Sequence, residues 1–228
     1  MATKDSRCLA DLRAKEREHS MKLQVALDTL DIQGSIKLMD EIADYVGVIE
    51  VGTPFVIREG MTPVRILKDR YPQIEVLADC KIMDAGELEA SDVFAAGADI
   101  VTVLGVSDDS TIKGVVRAAN TYGRKVMVDM INVLDLANRA TEIDKLGVDY
   151  ICVHTAFDIQ STGANPLAQL HELNGVIKNA QSAVAGGVKL ETINTIVEEG
   201  AEIIVVGGAI SNAPNPAAMA KELASRLR

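Results

Sequence analysis

The sequence contains no tryptophan, and aromatic residues make up only 3% of its 228 positions. Hydrophobic residues nevertheless account for 48% of the chain, so a core must be built mainly from aliphatic side chains. Such a composition is typical of a parallel β-sheet that is covered on both faces. The length suits one (β/α)8 barrel, a fold that typically uses about 250 residues. We therefore predict a single α/β domain.

Cysteine and long apolar runs are scarce as well. The cysteines, Cys8, Cys80 and Cys152, are widely spaced and form no CxxC pattern, which predicts neither a disulfide framework nor a thiolate metal site. No apolar run approaches the length of a membrane-spanning helix, and the charged N-terminus lacks the apolar core of a secretory signal. We expect a soluble, cytoplasmic protein with no membrane partner.

Basic residues are outnumbered by acidic ones, which leaves a formal net charge of -10 at pH 7. This charge argues against a nucleic-acid partner or an acidic membrane surface, because both attract a clustered excess of Lys and Arg. A small phosphorylated metabolite is still compatible with it. Backbone N–H groups at a helix N-terminus hold phosphate without a basic surface.

Two regions differ in composition. Residues 1–20 are highly charged and contain few large apolar side chains, so we expect a peripheral or disordered N-terminal extension. From residue 21 to residue 228, short apolar runs alternate with longer segments of helical periodicity, which predicts a (β/α)8 catalytic domain. The eight strands are predicted at 23–27, 47–51, 75–79, 99–104, 125–129, 149–153, 182–185 and 202–206.

Polar or charged residues recur where these strands end: Asp28, Glu50, Asp79, Asp129 and His154. A parallel barrel brings such strand ends together at one mouth, which would be the active site. An open doubly wound sheet would explain the alternation of strands and helices almost as well. We prefer the barrel because charged residues end strands along the whole chain and not near one switch point only.

The densest polar cluster is the segment from Asp79 to Asp84. Strand alternation predicts that Asp79 and Lys81 share one face and that Cys80 takes the other. An ammonium beside a carboxylate at a strand end can stabilise an enolate-like intermediate or handle a proton. The structural alternative is a buried ion pair that closes the barrel, with Asp84 capping the next helix.

The remaining strand-end acids allow two interpretations. Glu50 and Asp79 could coordinate a hard cation such as Mg²⁺, which often takes one or two carboxylates and leaves other positions to water and substrate. Equally, isolated carboxylates often hydrogen-bond to a loop. Asp28 and Asp129 carry the same ambiguity between binding a substrate hydroxyl and supporting a loop.

His154 is the only one of the three histidines at a predicted strand end; His19 lies in the extension and His171 in a helical segment. A near-neutral pKa is typical of histidine and suits it for moving a proton on and off carbon. The alternative is a purely structural residue. Sharing the predicted pocket with Lys81 and Asp79 favours the catalytic role.

Two glycine pairs follow the last two predicted strands, Gly186-Gly187 after strand 7 and Gly207-Gly208 after strand 8. Glycine pairs also serve tight turns. Many (β/α)8 barrels bind phosphate in these two loops, with backbone amides and a short extra helix. We predict a phosphate site here.

Beyond these single residues, eight segments together resemble the 3-hexulose-6-phosphate synthase family, a branch of the orotidine 5'-monophosphate decarboxylase superfamily, over the chain from Met21 to about residue 226. The segments are VALD at 25–28, VIEVGTP at 48–54, ADCKIMDAG at 78–86, GADIVTVLG at 97–105, KVMVDMINV at 125–133, GVDYICVHT at 147–155, AVAGGVKLET at 183–192 and VVGGAI at 205–210.

This resemblance implies a (β/α)8 homodimer with active sites at the interface. It also implies a lyase of the aldolase type, with Mg²⁺-dependent addition of formaldehyde to D-ribulose 5-phosphate through an enediolate to give D-arabino-hex-3-ulose 6-phosphate. In the related 3-keto-L-gulonate 6-phosphate decarboxylase, an Asp-x-Lys-x-x-Asp motif supplies the catalytic cluster, and its last Asp reaches into the partner's site. In this chain the motif corresponds to Asp79, Lys81 and Asp84.

By the same comparison, the remaining roles are distributed among the strand ends. Glu50 and Asp79 would hold the metal, Asp28 and Asp129 would contact substrate, and His154 would assist proton transfer.

Departures from the decarboxylase favour the synthase, because this chain has Phe157 and Gly208 where that enzyme has arginines. Decarboxylation of 3-keto-L-gulonate 6-phosphate is the alternative reaction. Another mechanism would make Lys81 a Schiff-base nucleophile, as in metal-free aldolases. A non-catalytic sugar-phosphate sensor is the alternative from a different class, although it would not need the full set of acids, lysine and histidine.

Overall fold

Eight parallel strands close into a barrel in the computed structural model, which describes residues 21–160 and 166–227. The strands are β1 (Lys22–Leu27), β2 (Val48–Val51), β3 (Glu75–Ile82), β4 (Ile100–Leu104), β5 (Lys125–Asp129), β6 (Tyr150–His154), β7 (Gln181–Ala185) and β8 (Ile203–Val206). The predicted (β/α)8 barrel is confirmed. An open sheet is excluded, because β1 and β8 are paired with each other. The predicted extension, residues 1–20, lies outside the described residues.

Helices connect the strands, and local sequence signals explain several of their ends. The helices are α1 (Ile32–Ile42), α2 (Thr53–Glu59), α3 (Thr62–Arg70), α4 (Gly86–Ala95), α5 (Asp109–Tyr122), α6 (Leu136–Ile143), α7 (Phe157–Gln160), α8 (Leu167–Val176), α9 (Leu190–Glu199), α10 (Gly208–Ser211) and α11 (Pro216–Arg226), with a 3₁₀ turn at Ala43–Tyr45. At the start of α1 the Asp31 carboxylate accepts a hydrogen bond from Gly34 N, and at the start of α11 Asn215 caps Ala218 N. None of the helices in the described part of the chain is long and apolar enough to span a membrane.

Side chains of the strands alternate between two apolar environments, as the pleat requires. One set packs against the helices and forms the larger core. The other set fills the barrel interior and comprises Ala26, Val48, Leu77, Ile100, Met127, Tyr150, Cys152, Ala183, Ala185, Ile203 and Val205. At the N-terminal end of the barrel, Glu75 accepts hydrogen bonds from Lys22 and Lys125 at 2.9 and 2.8 Å. The opposite, C-terminal end carries the candidate site.

Strand β3 is longer than predicted and is irregular near its end. It continues to Ile82, three residues beyond the predicted boundary at 79. The register with β4 runs regularly to Ala78 and resumes at Ile82, so a bulge lies between these two residues. Lys81 within the bulge has a φ of 48°, a left-handed conformation that is uncommon for a residue other than glycine. This bulge carries part of the candidate site.

Candidate active site

A polar pocket opens at the C-terminal mouth of the barrel, above the apolar interior. It is lined by Gln24, Glu50, Leu77, Asp79, Lys81, Thr102, Met127, Asp129, Cys152, His154, Ala185 and Val205. Strands β1 to β8 all contribute to this lining. The strand-end residues that the sequence singles out therefore meet in one place, with the exceptions described below.

Lys81 is the central cation of the pocket. Its Nζ donates hydrogen bonds to Asp79 Oδ2 at 2.6 Å and to Asp129 Oδ2 at 3.0 Å. Burial alone would lower the pKa of Lys81, but the two carboxylates raise it above its usual value. The lysine is consequently held as an ammonium ion at neutral pH. As predicted, Asp79 and Lys81 face the pocket, whereas Cys80 packs against the outer core.

His154 shares the same Asp129 carboxylate with Lys81. Nδ1 of His154 lies 2.9 Å from Asp129 Oδ2. Burial would raise the pKa of Asp129, but the bond and charge of His154, together with Lys81 and the Ile131 amide, lower it. Because the ionised carboxylate only accepts hydrogen bonds, Nδ1 carries the proton toward it. In the neutral imidazole, Nε2 is then the ring nitrogen with a free electron pair, which a general base requires.

Glu50 lies at the end of β2 and is a buried residue of the pocket. It is 8% exposed and accepts a hydrogen bond from Gln24 Nε2 at 2.7 Å. Burial first, and then the negative charges of Asp79 and Asp28, raise the pKa of Glu50 to about 8. Burial is therefore the main reason that the Glu50 carboxyl resists losing its proton.

Asp28 stands at the rim of the pocket, between the ends of β1, β2 and β8. A Cβ atom placed on Gly52 would lie 2.0 Å from Asp28 Oδ1, and one placed on Gly207 would lie 3.6 Å from Oδ2. Gly52 thus leaves the space that the carboxylate occupies. Burial and the charge of Asp79 raise the pKa of Asp28. The carboxylate is partly buried and is positioned between the acidic cluster and the loop after β8.

The glycine pairs lie in the loops where the sequence predicts a phosphate site. Gly186 and Gly187 follow β7 with φ values of 92° and 72°. A Cβ on Gly186 would come within 2.2 Å of the Thr155 carbonyl oxygen, so this position accepts only glycine. Gly207 and Gly208 follow β8 and begin the short helix α10. Both loops border the mouth of the barrel.

Asp84 is the one predicted catalytic residue that a single chain does not bring to the cluster. It is exposed on the loop after β3, where its Oδ1 accepts a hydrogen bond from Ala85 N at 2.7 Å. The alternative that it caps the next helix is wrong, since α4 has no side-chain cap. Met83 beside it is 53% exposed. Asp84 thus does not line the pocket of its own chain.

Sequence reasoning missed three polar residues of the site: Gln24, Thr53 and Thr102. Gln24 supports Glu50, Thr53 Oγ1 donates to Asp79 Oδ2 at 2.7 Å, and Thr102 Oγ1 donates to Asp79 Oδ1 at 2.7 Å. The signal for Gln24 and Thr102 was a polar residue inside an apolar strand. Because Gln24 lies an even number of residues before Asp28, strand alternation would have placed these two side chains on one face.

The donor set of the pocket fits a hard divalent cation of the Mg²⁺ type. No group of three or more His, Cys, Asp or Glu side chains within residues 21–160 and 166–227 is arranged to hold a metal. Mg²⁺ often needs only one or two carboxylates, the rest being water and substrate oxygens. Glu50 and Asp79 supply two, and a bound cation would offset the cost of ionising the buried Glu50 carboxyl, whose pKa is raised by burial and by the charge of Asp79. The buried Gln24 Oε1, which has no partner among the described residues, adds an oxygen acceptor to the same pocket.

Residues 21–223 match the model of the orotidine 5'-phosphate decarboxylase / HUMPS family. The chain belongs to this family. Several curated relatives are named 3-hexulose-6-phosphate synthase. The relative from Bacillus subtilis is 48% identical over 203 residues, which is 89% of this chain and 97% of the relative. A second, from Staphylococcus saprophyticus, is 47% identical over 201 residues, covering 88% of this chain and 96% of the relative.

Solved structures of related proteins match the fold of this chain. The 3-hexulose-6-phosphate synthase of Salmonella typhimurium is 44% identical, with a TM-score of 0.89 over 91% of this chain and 98% of that one. KGPDC from Streptococcus mutans, at 24% identity and a TM-score of 0.81, shows the shared fold alone. The resemblance that the sequence motifs predict is confirmed, as is an enzyme of the aldolase-lyase class.

Proposed function

We propose that the protein is a 3-hexulose-6-phosphate synthase that joins formaldehyde to D-ribulose 5-phosphate to give D-arabino-hex-3-ulose 6-phosphate. The full-length similarity to synthases of that name supports the reaction. The single structural observation that carries the proposal is the Asp129 carboxylate, which binds both Lys81 and His154 inside one pocket. This arrangement pairs a fixed cation with a fixed base, as carbanion chemistry requires.

His154 removes the proton from C1 of the sugar phosphate in this proposal. Asp129 orients the imidazole through Nδ1 and stabilises the imidazolium ion that results. The C1 carbanion, as its enediolate, then forms a bond to the carbon of formaldehyde. The formaldehyde oxygen takes up a proton, so that atoms and charge balance over the reaction.

Lys81 acts electrostatically. The ammonium ion is fixed by Asp79 and Asp129 before substrate arrives, so it can stabilise the negative charge that develops on the substrate oxygens. A Schiff base would need a neutral amine, which requires a lowered lysine pKa. The pKa of Lys81 is raised instead, because two carboxylates outweigh the effect of burial. This observation disfavours the metal-free mechanism.

Glu50 and Asp79 would hold Mg²⁺ in the active enzyme. The ion would supply Lewis-acid stabilisation of charge on the carbonyl and neighbouring hydroxyl oxygens of the substrate. Asp28, at the rim of the same cluster, would orient a substrate hydroxyl. Asp129 would contact substrate as well as holding His154.

Backbone groups of the last two loops would bind the substrate phosphate. Gly186 and Gly187 keep the β7 loop free of side chains, and Gly207 and Gly208 begin α10 after β8. Amides in such loops are a common phosphate site in (β/α)8 barrels. The family resemblance implies that the decarboxylase carries arginines at the positions of Gly208 and of Phe157, which is 85% exposed. The lack of these two arginine side chains supports the synthase over decarboxylation of 3-keto-L-gulonate 6-phosphate.

A homodimer would complete the site. Asp84 is exposed beside the exposed Met83 and does not line its own pocket, so it would be available to a second copy. Leu88, Val106 and Leu134 extend the exposed apolar surface at this end of the barrel, with exposed fractions of 68%, 45% and 100%. Apolar surface of this kind favours a protein interface. We further propose that the enzyme acts in the cytoplasm, where sugar phosphates are formed.

Formaldehyde consumption by the purified protein tests the proposal. We expect loss of formaldehyde and formation of a hexulose phosphate only when ribulose 5-phosphate is present, with inhibition by EDTA and recovery on adding Mg²⁺. Release of CO₂ from 3-keto-L-gulonate 6-phosphate without formaldehyde consumption would establish the decarboxylase instead. Binding of ribulose 5-phosphate without turnover of either substrate would favour the sensor.

A further inference from the structure

The bulge in β3 leaves the backbone N–H of Lys81 without a strand partner. Ala78 pairs with Val101 and Ile82 pairs with Val103. Three residues of β3, from Asp79 to Lys81, therefore lie opposite the single residue Thr102 of β4. A regular parallel ladder cannot bond all of these groups.

The side chain of Thr102 supplies the missing hydrogen-bond partner. Its Oγ1 accepts a hydrogen bond from Lys81 N at 2.9 Å and donates one to Asp79 Oδ1 at 2.7 Å. The proton direction is determined, because an amide N–H only donates and an ionised carboxylate only accepts. One hydroxyl thus connects the backbone of the catalytic lysine with the carboxylate to which the same lysine's Nζ is bonded.

Thr102 is well suited to be a rigid connection. It is 4% exposed and lines the pocket between apolar neighbours such as Leu77 and Met127. The second oxygen of Asp79 is already engaged by Lys81 and Thr53. Losing the hydroxyl would therefore leave a buried amide and a buried carboxylate oxygen unpaired, which is costly in an apolar setting.

We propose that Thr102 is a positioning residue for the reaction: its hydroxyl holds Lys81 in the left-handed conformation and fixes the plane of the Asp79 carboxylate. The inference rests on the proposed function, because it assigns Lys81 and Asp79 to carbanion stabilisation and metal binding. The residue acts only through these two neighbours. It extends the site to β4, a strand from which the sequence motifs assign no residue.

Three substitutions separate this role from packing. Thr102→Val keeps the shape of the side chain but removes the hydroxyl, and we expect kcat to fall about 10- to 100-fold, the usual effect of removing a hydrogen-bond partner of a metal ligand. The KM for ribulose 5-phosphate should change less, since the phosphate loops are untouched. Thr102→Ser keeps the hydroxyl and should recover kcat to within a few-fold of wild type. Thr111→Val, a buried threonine of α5 away from the pocket, is the matched control and should leave kcat unchanged.

A crystal structure of the Thr102→Val protein provides a readout that does not depend on activity. We expect a shift of the Asp79 carboxylate and a loss of the positive φ at Lys81. Unchanged positions of both residues, or a Val variant as active as wild type, would overturn the proposal. If the Thr102→Val protein does not fold, the Thr102→Ala protein is measured instead. A Thr102→Ala protein as active as the Thr102→Ser protein would also overturn the proposal. If the wild-type protein has no synthase activity, the proposed function is refuted. Comparison of the Thr102→Val crystal structure with the wild-type structure then decides the role of Thr102.

Discussion

Nδ1 of His154 lies 2.9 Å from Oδ2 of Asp129, a contact that leaves Nε2 as the nitrogen with a free electron pair. The carboxylate is buried and ionised, and it also binds Lys81 at 3.0 Å. The proposed base, His154, and the cation, Lys81, thus both contact Oδ2 of Asp129. Movement of Asp129 would displace both, which explains why a residue that need not itself exchange a proton is central to the site.

Replacing His154 by Asn tests the base. We expect exchange of the C1 proton of ribulose 5-phosphate with solvent to slow by about 100-fold or more, the usual contribution of general base catalysis. Exchange is measured by NMR in D₂O without formaldehyde. His171→Asn is the matched control, because the exposed His171 side chain hydrogen-bonds to Glu199, away from the pocket. Exchange at the wild-type rate in the His154 variant would remove this residue from the role.

Lys81 should form no covalent adduct with substrate. Since Asp79 and Asp129 raise its pKa, the amine stays protonated and cannot attack a carbonyl carbon. We expect borohydride treatment in the presence of ribulose 5-phosphate to leave the protein mass unchanged and the enzyme active after the reagents are removed. A substrate-sized mass increase on the peptide that contains Lys81 would contradict the electrostatic role.

Glu50 should make the metal-free protein less stable as pH rises. The pKa of Glu50 is raised, chiefly by burial, from an ordinary value of 4.5 to about 8 in the folded chain, so the folded protein retains a proton that the unfolded chain releases. The free energy of unfolding should therefore fall between about pH 5 and pH 8 and level off above, by an amount on the order of a few kcal/mol.

Urea unfolding of EDTA-treated protein across this pH range measures the effect. Glu50→Gln cannot titrate, and its stability should depend less on pH over the same interval. Mg²⁺ should restore stability to the wild-type protein at pH 8 and do so only weakly for the Gln variant. Equal pH slopes for the two proteins would show that Glu50 titrates normally.

The alternation of apolar runs and the residues that follow them were enough to predict eight strands and a shared mouth. Side chains such as Asp129 and His154 meet there because every strand of a parallel barrel ends on the same side. The bulge of β3 could not be predicted in this way, since it depends on the register with β4. Thr102 and Gln24 were missed for a related reason: their roles come from hydrogen bonds across strands, which periodicity along one strand does not record.

Gly186→Ala should damage the loop after β7. The position combines a φ of 92° with a Cβ contact of 2.2 Å to the Thr155 carbonyl. We expect a loss of stability of about 1–3 kcal/mol or more and a raised KM for ribulose 5-phosphate, measured by urea unfolding and steady-state kinetics. Gly200→Ala is the matched control, because Gly200 has a φ of 81° but nothing within 4 Å of its Cβ position. Equal losses in the two variants would assign the effect to backbone conformation alone.

Asp84 and Lys81 should complement each other between subunits. Lys81→Ala and Asp84→Ala proteins should each be nearly inactive alone. After unfolding and refolding together, half of the dimers are mixed, and one of their two sites combines Lys81 of one copy with Asp84 of the other. Activity should then recover to about a quarter of wild type, the fraction of intact sites expected for a two-fold symmetric dimer.

Mixing Lys81→Ala with Asp79→Asn is the control for this recovery. Both of these residues belong to the pocket of one chain, where their side chains are bonded at 2.6 Å, so no mixed dimer regains an intact site. The two mixtures differ in whether the second residue lines the pocket of its own chain, as Asp79 does and Asp84 does not. Recovery in neither mixture would place Asp84 in the site of its own chain, and an Asp84→Ala protein that is active alone would place it outside catalysis. Recovery in both mixtures would point to exchange of whole barrel segments between copies.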